Sequence, residues 1–255
     1  MIEWIQQQPV WLGLSIVVFS GVMLSTMGTV VANIIFTPEE LIENNNVGGF
    51  KFAFLAQIVA SLLAVCIVDS ATRFVNFHYK MDREVAAITL LTQMESVLTA
   101  QAQQLKLARV EYVKAVAETE WETMLQGRAS QRAEKAITAW YRTALQTNPK
   151  TPREQLAYAQ YLRIFSTVME NRMGRINDAT TPFEGMFWMS ITIAVFITIA
   201  FNWFFGTYSL TTQVAMGALL SGGVMTLVYL AIIMASPINS EIGMRPDAFL
   251  ALSLR

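Results

Sequence analysis

Long runs without charge alternate with one charged block along this chain, and these runs dominate its hydrophobic pattern. The uncharged runs lie between Glu3 and Glu39, between Lys51 and Asp69, and between Glu184 and Glu241. A spanning helix needs about 20 apolar residues to cross roughly 30 Å of hydrocarbon, so these runs are expected to lie in lipid. They predict four spanning helices, at residues 11–36, 52–68, 187–205 and 210–235.

The block between the second and third spans predicts a helical insert. Neither glycine nor proline occurs from Phe50 to Gln126, so the second helix is expected to continue past Asp69. Apolar residues spaced by three, four and seven then predict one stripe of a helix, formed by Leu91, Met94, Leu98, Leu105, Ala108 and Tyr112. Gly127 ends this run, and turn residues near Pro149 separate two further helices.

The distribution of charge predicts the orientation of the chain. Fifteen of the 18 Lys and Arg residues lie between Arg73 and Arg175, and loops rich in these residues stay in the cytoplasm. We therefore expect a multi-pass protein of the bacterial inner (plasma) membrane with both termini cytoplasmic. The expected parts are a first helix pair at 1–69, a cytoplasmic helical domain at 70–182, a second helix pair at 183–240 and a cytoplasmic tail at 241–255.

The residue types needed for most catalytic and metal sites are scarce. His78 is the only histidine and Cys66 the only cysteine, which excludes an intrachain disulfide and most zinc, haem or di-iron sites. No serine lies in a nucleophile elbow, and no glycine-rich loop precedes a helix as phosphate binding requires. Basic residues of the insert are interspersed with acidic ones, which is untypical of nucleic-acid binding. The sequence predicts no enzyme, no metal, no cofactor and no nucleic-acid partner.

One face of the second span combines polar, small and aromatic side chains. Spacings of three and four place six residues on this face: Phe50, Phe54, Gln57, Ser61, Ala64 and Val68. A pore-lining helix has this pattern, and so does a helix whose polar groups bond to its neighbours in a bundle. The residues alone leave both interpretations open.

Acidic residues flank this span on both sides. Asp69 ends the apolar run, and repetition by symmetry would make it a ring of carboxylates that attracts cations. Glu39, Glu40 and Glu43 would add an acidic vestibule at the opposite end. The alternative is that Asp69 marks the membrane boundary and pairs with Arg73 four residues later.

Four charged residues of the insert are candidates for structural ion pairs. Glu84 and Glu120 could pair with Arg172 or Arg175 across the insert and fix its helices. They also belong to a wider set of residues whose order and spacing along the chain match a known family of membrane proteins. The set consists of Asn46, Gly48, Gly49, Glu84, Tyr112, Glu120, Trp121, Arg172 and Arg175. In these residues the chain resembles the bestrophin-like membrane proteins over nearly its whole length. It departs from the family where Val85 separates Glu84 from Ala86.

The resemblance implies a homo-oligomer, pentameric as bestrophins are, with a narrow apolar neck lined by the second helix. Its expected function is an ion channel for small inorganic ions, with the lipid bilayer as surroundings. Amphipathic helices with more apolar face than one chain can bury also favour self-association. The alternative is a non-conducting scaffold or regulatory protein that docks a partner on its cytoplasmic domain, with exposed anchors at Trp121, Trp140, Tyr158 and Tyr161.

Overall fold

The computed structural model describes residues 2–98, 101–181 and 185–253, and every regular element in them is helical. The α-helices are α1 (Ile2–Gln6), α2 (Val10–Ile35), α3 (Pro38–Glu95), α4 (Ala102–Ala115), α5 (Trp121–Leu125), α6 (Gln131–Leu145), α7 (Pro152–Thr180), α8 (Gly185–Asn202), α9 (Leu210–Met234) and α10 (Asp247–Ser253). A π-helical turn, Val116–Glu120, joins α4 to α5.

The chain divides into two compact units. The first, here called the membrane unit, comprises Met1–Thr72 and Phe183–Glu241, and the second, the charged unit, comprises Arg73–Pro182 and Ile242–Arg255. Four helical stretches of the described chain are long and apolar enough to cross a membrane. The prediction of an all-α membrane protein with four spanning helices is confirmed.

Within the membrane unit, α2 packs closely along α9. A Cβ atom built at Gly222 of α9 would lie 3.7 Å from Val22 and 3.8 Å from Val18 of α2. The Tyr229 hydroxyl donates to the Val10 carbonyl at 2.9 Å near the start of α2. Small residues let two helix backbones approach closely in a membrane, and this contact has that character.

The link between α2 and α3 is much shorter than the sequence suggested. We expected a connection holding Glu39, Glu40 and Glu43, but α3 begins at Pro38 and all three residues are helical. The reason is a capping box. The Glu40 carboxylate accepts from the Thr37 backbone N–H at 2.8 Å, and the Thr37 hydroxyl accepts from the Glu40 N–H at 3.3 Å. Proline at the first helical position fits the same arrangement.

Polar side chains hold the link between α8 and α9. The Asn45 side-chain amide donates to the Gly206 carbonyl at 2.9 Å and accepts from the Gly206 N–H at 3.3 Å. Gln213 donates to the Phe205 carbonyl at 2.5 Å. These bonds satisfy backbone groups that no helix pairs.

In the charged unit, α3 ends at Glu95, although neither glycine nor proline stops it there. The expected single helical stripe from Leu91 to Tyr112 is therefore wrong, because its residues are divided between α3, the turn after it and α4. Tertiary contacts override the local helical preference: Leu98 is buried in the turn, and Glu95 pairs with Arg109 of α4 at 3.1 Å. The turn allows both helices to face one core.

Aromatic side chains form much of that core. Trp140 and Tyr161 are fully buried and bonded to each other, the indole N–H donating to the Tyr161 hydroxyl at 2.8 Å. Trp121 is 8% exposed and Tyr158 is partly buried. The expectation that these four aromatics are exposed anchors for a partner is wrong for Trp121, Trp140 and Tyr161, because the helices of the unit bury them against each other.

The C-terminal segment also belongs to this core. Phe249 of α10 is fully buried, and its ring centroid lies 6.1 Å from that of Trp121. The Trp121 indole N–H donates to the Met244 carbonyl at 3.0 Å. Residues that the sequence treats as a separate tail thus complete the packing of the charged unit.

Candidate functional site

The six residues expected on a pore face lie together on one exposed side of α3. Phe50 is 85% exposed, Phe54 71% and Val68 63%, while Gln57, Ser61 and Ala64 are also exposed. The opposite side of α3 is buried, with Val59, Leu63 and Cys66 packed against α8 and α9. At 3.6 residues per turn, the mean directions of these two sets differ by roughly 170°.

The polar groups of this face bond weakly to each other. The Gln57 side-chain amide donates to the Ser61 hydroxyl at 3.5 Å, the outer limit for a hydrogen bond. An amide has two donors and an acceptor, so this contact leaves most of its bonding capacity unused. The face offers polar groups to whatever medium or neighbour covers it.

The acidic residues take different positions. Asp69 is exposed one residue beyond Val68 on α3. Glu39 and Glu43 are exposed in the first turns of the same helix. Glu40 differs from them, because its carboxylate caps the helix and the hydrogen bonds from Thr37 lower its pKa. Sequence reasoning missed this capping role, although a threonine followed three residues later by a glutamate is its usual signature.

The charged unit brings Glu84, Glu120, Arg172 and Arg175 into one buried cluster. Arg175 bonds through Nε to Glu84 Oε2 at 2.9 Å and through Nη2 to Glu120 Oε2 at 2.8 Å. Arg172 Nη2 bonds to the other Glu120 oxygen, Oε1, at 2.6 Å. The two buried carboxylates thus face two guanidinium groups, and a third, exposed carboxylate, that of Glu134, bonds to Arg172 Nη1 at 2.5 Å. Charges removed from water need this kind of pairing.

Aromatic groups complete the cluster. The Arg175 guanidinium lies 5.3 Å from the Trp121 ring centroid and 5.2 Å from that of Phe249, within the range of cation–π attraction. The Tyr112 hydroxyl donates a short hydrogen bond to Glu84. Burial raises the pKa of Tyr112 well above its usual value, and the carboxylates of Glu84 and Glu120 add to this effect. Tyr112 therefore keeps its proton and remains a donor.

The π-helical turn explains how Glu120 enters the cluster. This turn carries an extra residue compared with an α-helix, which shifts the direction of the side chains that follow it. Glu120 is fully buried, whereas Glu118 is exposed and pairs with Arg132 at 2.9 Å. The two carboxylates thus point to different surroundings and form no common site.

A second buried ion pair, Glu95 with Arg109, was missed by sequence reasoning. Both side chains are buried, and Arg109 Nε lies 3.1 Å from Glu95 Oε1. Burial raises the pKa of Glu95, while the Arg109 guanidinium offsets part of that rise. A signal was present in the sequence, since Arg109 lies four residues after Leu105 and three before Tyr112, on the apolar face of α4.

No metal centre accompanies these clusters. Within residues 2–98, 101–181 and 185–253, no three His, Cys, Asp or Glu side chains are grouped so that they could hold an ion.

The fold and the exposed α3 face define an all-helical, polytopic membrane protein with a charged helical unit between its second and third spans. The sequence model of the Bestrophin-like domain matches residues 18–249, so the chain belongs to the Bestrophin-like family. The expected resemblance is confirmed. No curated protein matches the chain significantly.

Solved structures support the same fold. A bacterial bestrophin homologue from Klebsiella pneumoniae, carrying one substitution, is 13% identical, with a TM-score of 0.71 over 92% of this chain and 96% of that one. A second variant of this homologue has a TM-score of 0.72 at 13% identity, covering 92% of this chain and 95% of the other. A third is 14% identical with a TM-score of 0.70, covering 92% and 93%. At such identity the likeness shows a shared fold.

Proposed function

We propose that copies of this chain assemble around a common axis and form a channel for small inorganic ions, lined by the exposed face of α3. Bestrophins are pentameric ion channels, and membership of the Bestrophin-like family supports a pentamer here. The proposed path is a narrow apolar neck formed by Phe54, Ala64 and Val68, interrupted by Gln57 and Ser61. Phe50 lies at one end and Asp69 at the other.

The exposure of Gln57 is the observation that carries this proposal. It lies within the second span, five residues after Phe52, on the side of α3 turned away from the rest of the membrane unit. An amide facing hydrocarbon would leave polar atoms unsatisfied, at a cost of several kcal/mol. Water in a pore, or a neighbouring α3 around the axis, removes that cost.

The acidic residues favour cations over anions. A ring of Asp69 side chains at one mouth would attract cations and repel anions. Glu39 and Glu43 at the other end of α3 would raise the local cation concentration. Glu40, whose exposed carboxylate also caps α3, adds to the same field.

Charge distribution supports an orientation with the charged unit in the cytoplasm of a bacterium and the spans in its inner membrane. Reporter fusions test this orientation, because each reporter is active on only one side of the membrane. One fusion is placed after Ser253 and the other within the connection at Thr207. Activity of the first in the cytoplasm and of the second outside it is expected. The reverse pattern would contradict the proposal.

Cysteine accessibility tests the pore face directly. In a Cys66→Ser background, Ser61→Cys and Ala64→Cys are reconstituted in liposomes and exposed to a charged, water-soluble thiol reagent during flux measurements. Block of flux at both positions is expected. Thr226→Cys, on the exposed side of α9, is the matched control and should stay unaffected. Flux that persists at full rate after modification of Ser61→Cys would remove α3 from the path.

The scaffold hypothesis has less support, because three of its four proposed anchors are buried in the charged unit. The same liposomes distinguish the two functions. Purified protein that forms a ring of subunits but passes no ion under any salt gradient would favour the scaffold.

A further inference from the structure

A deep apolar groove lies within the membrane unit, away from the α3 face. One wall is α2 and the other is α8, while α9 forms the floor and Ile5 of α1 closes one end. Its volume is about 530 Å³. Small-molecule pockets measure roughly 300–1,000 Å³, and an apolar cavity of roughly 150 Å³ holds a benzene ring, so this groove is large enough for a long hydrocarbon group.

The lining of the groove selects an apolar occupant. Ile191, Val195 and Phe196 contribute to one wall, and Met225 and Val228 to the floor. These side chains offer only apolar surface. Among the described residues, no charged side chain lines the groove.

The two hydroxyls in the lining are already bonded within their own helices. Ser20 donates to the Val17 carbonyl at 2.7 Å, and Thr192 donates to the Trp188 carbonyl at 2.8 Å. They have no free donor to offer a polar ligand. A charged occupant would lose its hydration without meeting an opposite charge among the described lining residues.

The length of the groove is close to the hydrocarbon thickness of one leaflet of a bilayer. Along α8 it runs from Trp188 to Ile199, about 16 Å at 1.5 Å rise per residue. This length is about half of the roughly 30 Å of hydrocarbon in a bilayer. The groove residues of α9 lie in its C-terminal half, and those of α2 lie in its N-terminal half apart from Leu24, which is just past the middle of the helix. Those of α8 extend past the middle of that helix.

We propose that this groove is a binding site for one lipid acyl chain, which enters sideways from the surrounding bilayer. Lipid surrounds the membrane unit, and water is excluded from a groove that offers it no partner, so hydrocarbon is the available filling. The groove is rimmed by exposed apolar residues, among them Leu24 and Phe196, which leaves it open to the side. The bound chain fills the space between α2 and α8 and holds them at a fixed distance.

Lipid retention tests this site with closely matched variants. Ser20→Phe and Thr192→Phe each place a ring in the groove, whereas Ser15→Phe on α2 and Thr226→Phe on α9 place the same ring on exposed positions outside it. All four hydroxyls donate to a carbonyl of their own helix, so the lost bonds are comparable. Native mass spectrometry counts the phospholipids that remain after extended washing in detergent.

We expect the wild-type protein and both controls to retain a tightly bound phospholipid. The two groove variants should retain about tenfold less, a change on the order of 1.4 kcal/mol. Equal retention in all five proteins would overturn the proposal. If the groove variants fail to fold, brominated acyl chains provide a second measurement on unmodified protein. Chains bound in the groove should quench the part of the tryptophan fluorescence that comes from Trp188, which is identified by its loss in Trp188→Phe. Absence of this quenching would also overturn the proposal.

A neighbouring subunit is the competing occupant, and cross-linking separates it from lipid. A photoreactive benzoylphenylalanine replaces Phe196, whose ring lies at the rim and is 50% exposed. Products of subunit mass plus one phospholipid support the acyl-chain site. Products of two subunit masses would assign the groove to the subunit interface and reject the lipid.

Discussion

Arg175 and Glu84 form an ion pair across 91 positions of sequence, with Nε and Oε2 2.9 Å apart and both side chains fully buried. Replacing one member of such a pair leaves the other charge buried without compensation, which costs about 3–5 kcal/mol. Glu84→Gln should therefore lower the free energy of unfolding of the charged unit by this order. Thermal unfolding in detergent measures the change.

The matched control for this variant is a surface ion pair in the same unit. Arg132 bonds to Glu111 and Glu118 at 3.1 and 2.9 Å, but all three side chains are substantially exposed. Exposed pairs contribute little, so Arg132→Gln should leave the melting temperature nearly unchanged. If Glu84→Gln and Arg132→Gln lower the melting temperature equally, burial does not decide how much an ion pair contributes to stability.

Two buried tyrosines should stay protonated in the folded protein at alkaline pH. Burial raises the pKa of both Tyr112 and Tyr161, and nearby carboxylates act in the same direction. The folded state then holds protons that the unfolded state releases near pH 10, so stability falls as pH rises above about 10. Absorbance titration of phenolate follows both states.

The control is the double variant Tyr112→Phe and Tyr161→Phe. Its folded-state titration should match that of the wild type up to the unfolding transition, since neither tyrosine ionises while folded. In denaturant it should titrate two fewer phenols. If the folded double variant also titrates two phenols fewer than the folded wild type, Tyr112 and Tyr161 ionise in the folded protein and are accessible to base.

Gly28 of α2 lies against the indole of Trp203. A Cβ atom built at Gly28 would be 2.0 Å from Trp203 Cε2, so Gly28→Ala forces a rigid ring to move. Overpacking of this kind costs typically 1–3 kcal/mol, and we expect a loss of that order in the membrane unit. Detergent-based thermal unfolding measures it, and Trp203→Leu in the same chain should recover part of the loss.

Gly223 of α9 provides the comparison, because a Cβ atom there would meet no other atom within 4 Å. Gly223→Ala should be neutral or slightly stabilising, since alanine has the higher helix propensity. Equal destabilisation by both substitutions would mean that loss of glycine itself, rather than contact with Trp203, is responsible.

Asp69 and Glu40 should respond differently in a conducting channel. Asp69→Lys should shift the reversal potential in a salt gradient towards the anion value, because it reverses the charge of the proposed ring. Glu40→Gln should change the reversal potential less and instead loosen the start of α3, where a cap contributes on the order of 1 kcal/mol. Hydrogen exchange of the first α3 turn measures this second effect.

Glu39→Gln and Glu43→Gln are the controls for the helix cap, since each removes the same charge near the same helix end. They should leave exchange of the first turn nearly unchanged. An unaltered reversal potential in an active Asp69→Lys channel would exclude Asp69 from ion selection.

The four spans and the exposed α3 face follow from periodicity and charge, which are local properties of the sequence. Lys51 and Asp69 bound the second span clearly, and its polar residues recur at helical spacing. The absence of glycine and proline also predicted that α3 continues beyond Asp69, as it does to Glu95.

The end of α3 and the burial of the aromatics could not be predicted in the same way, because they depend on distant contacts. The turn after Glu95 is stabilised by a pair with Arg109 in the next helix. Trp121 is buried because Phe249, far along the chain, packs beside it. Periodicity within one helix carries no information about which distant segment will cover it.

The packing of Phe249 against Arg175 fixes an order of events during biosynthesis. The ribosome makes α7, then the two later membrane helices, and only afterwards the aromatic ring that covers this guanidinium. Until residue 249 has been translated, one side of Arg175 lacks its aromatic cover. The charged unit therefore completes its folding after α8 and α9 have been synthesised, even though most of its residues precede them.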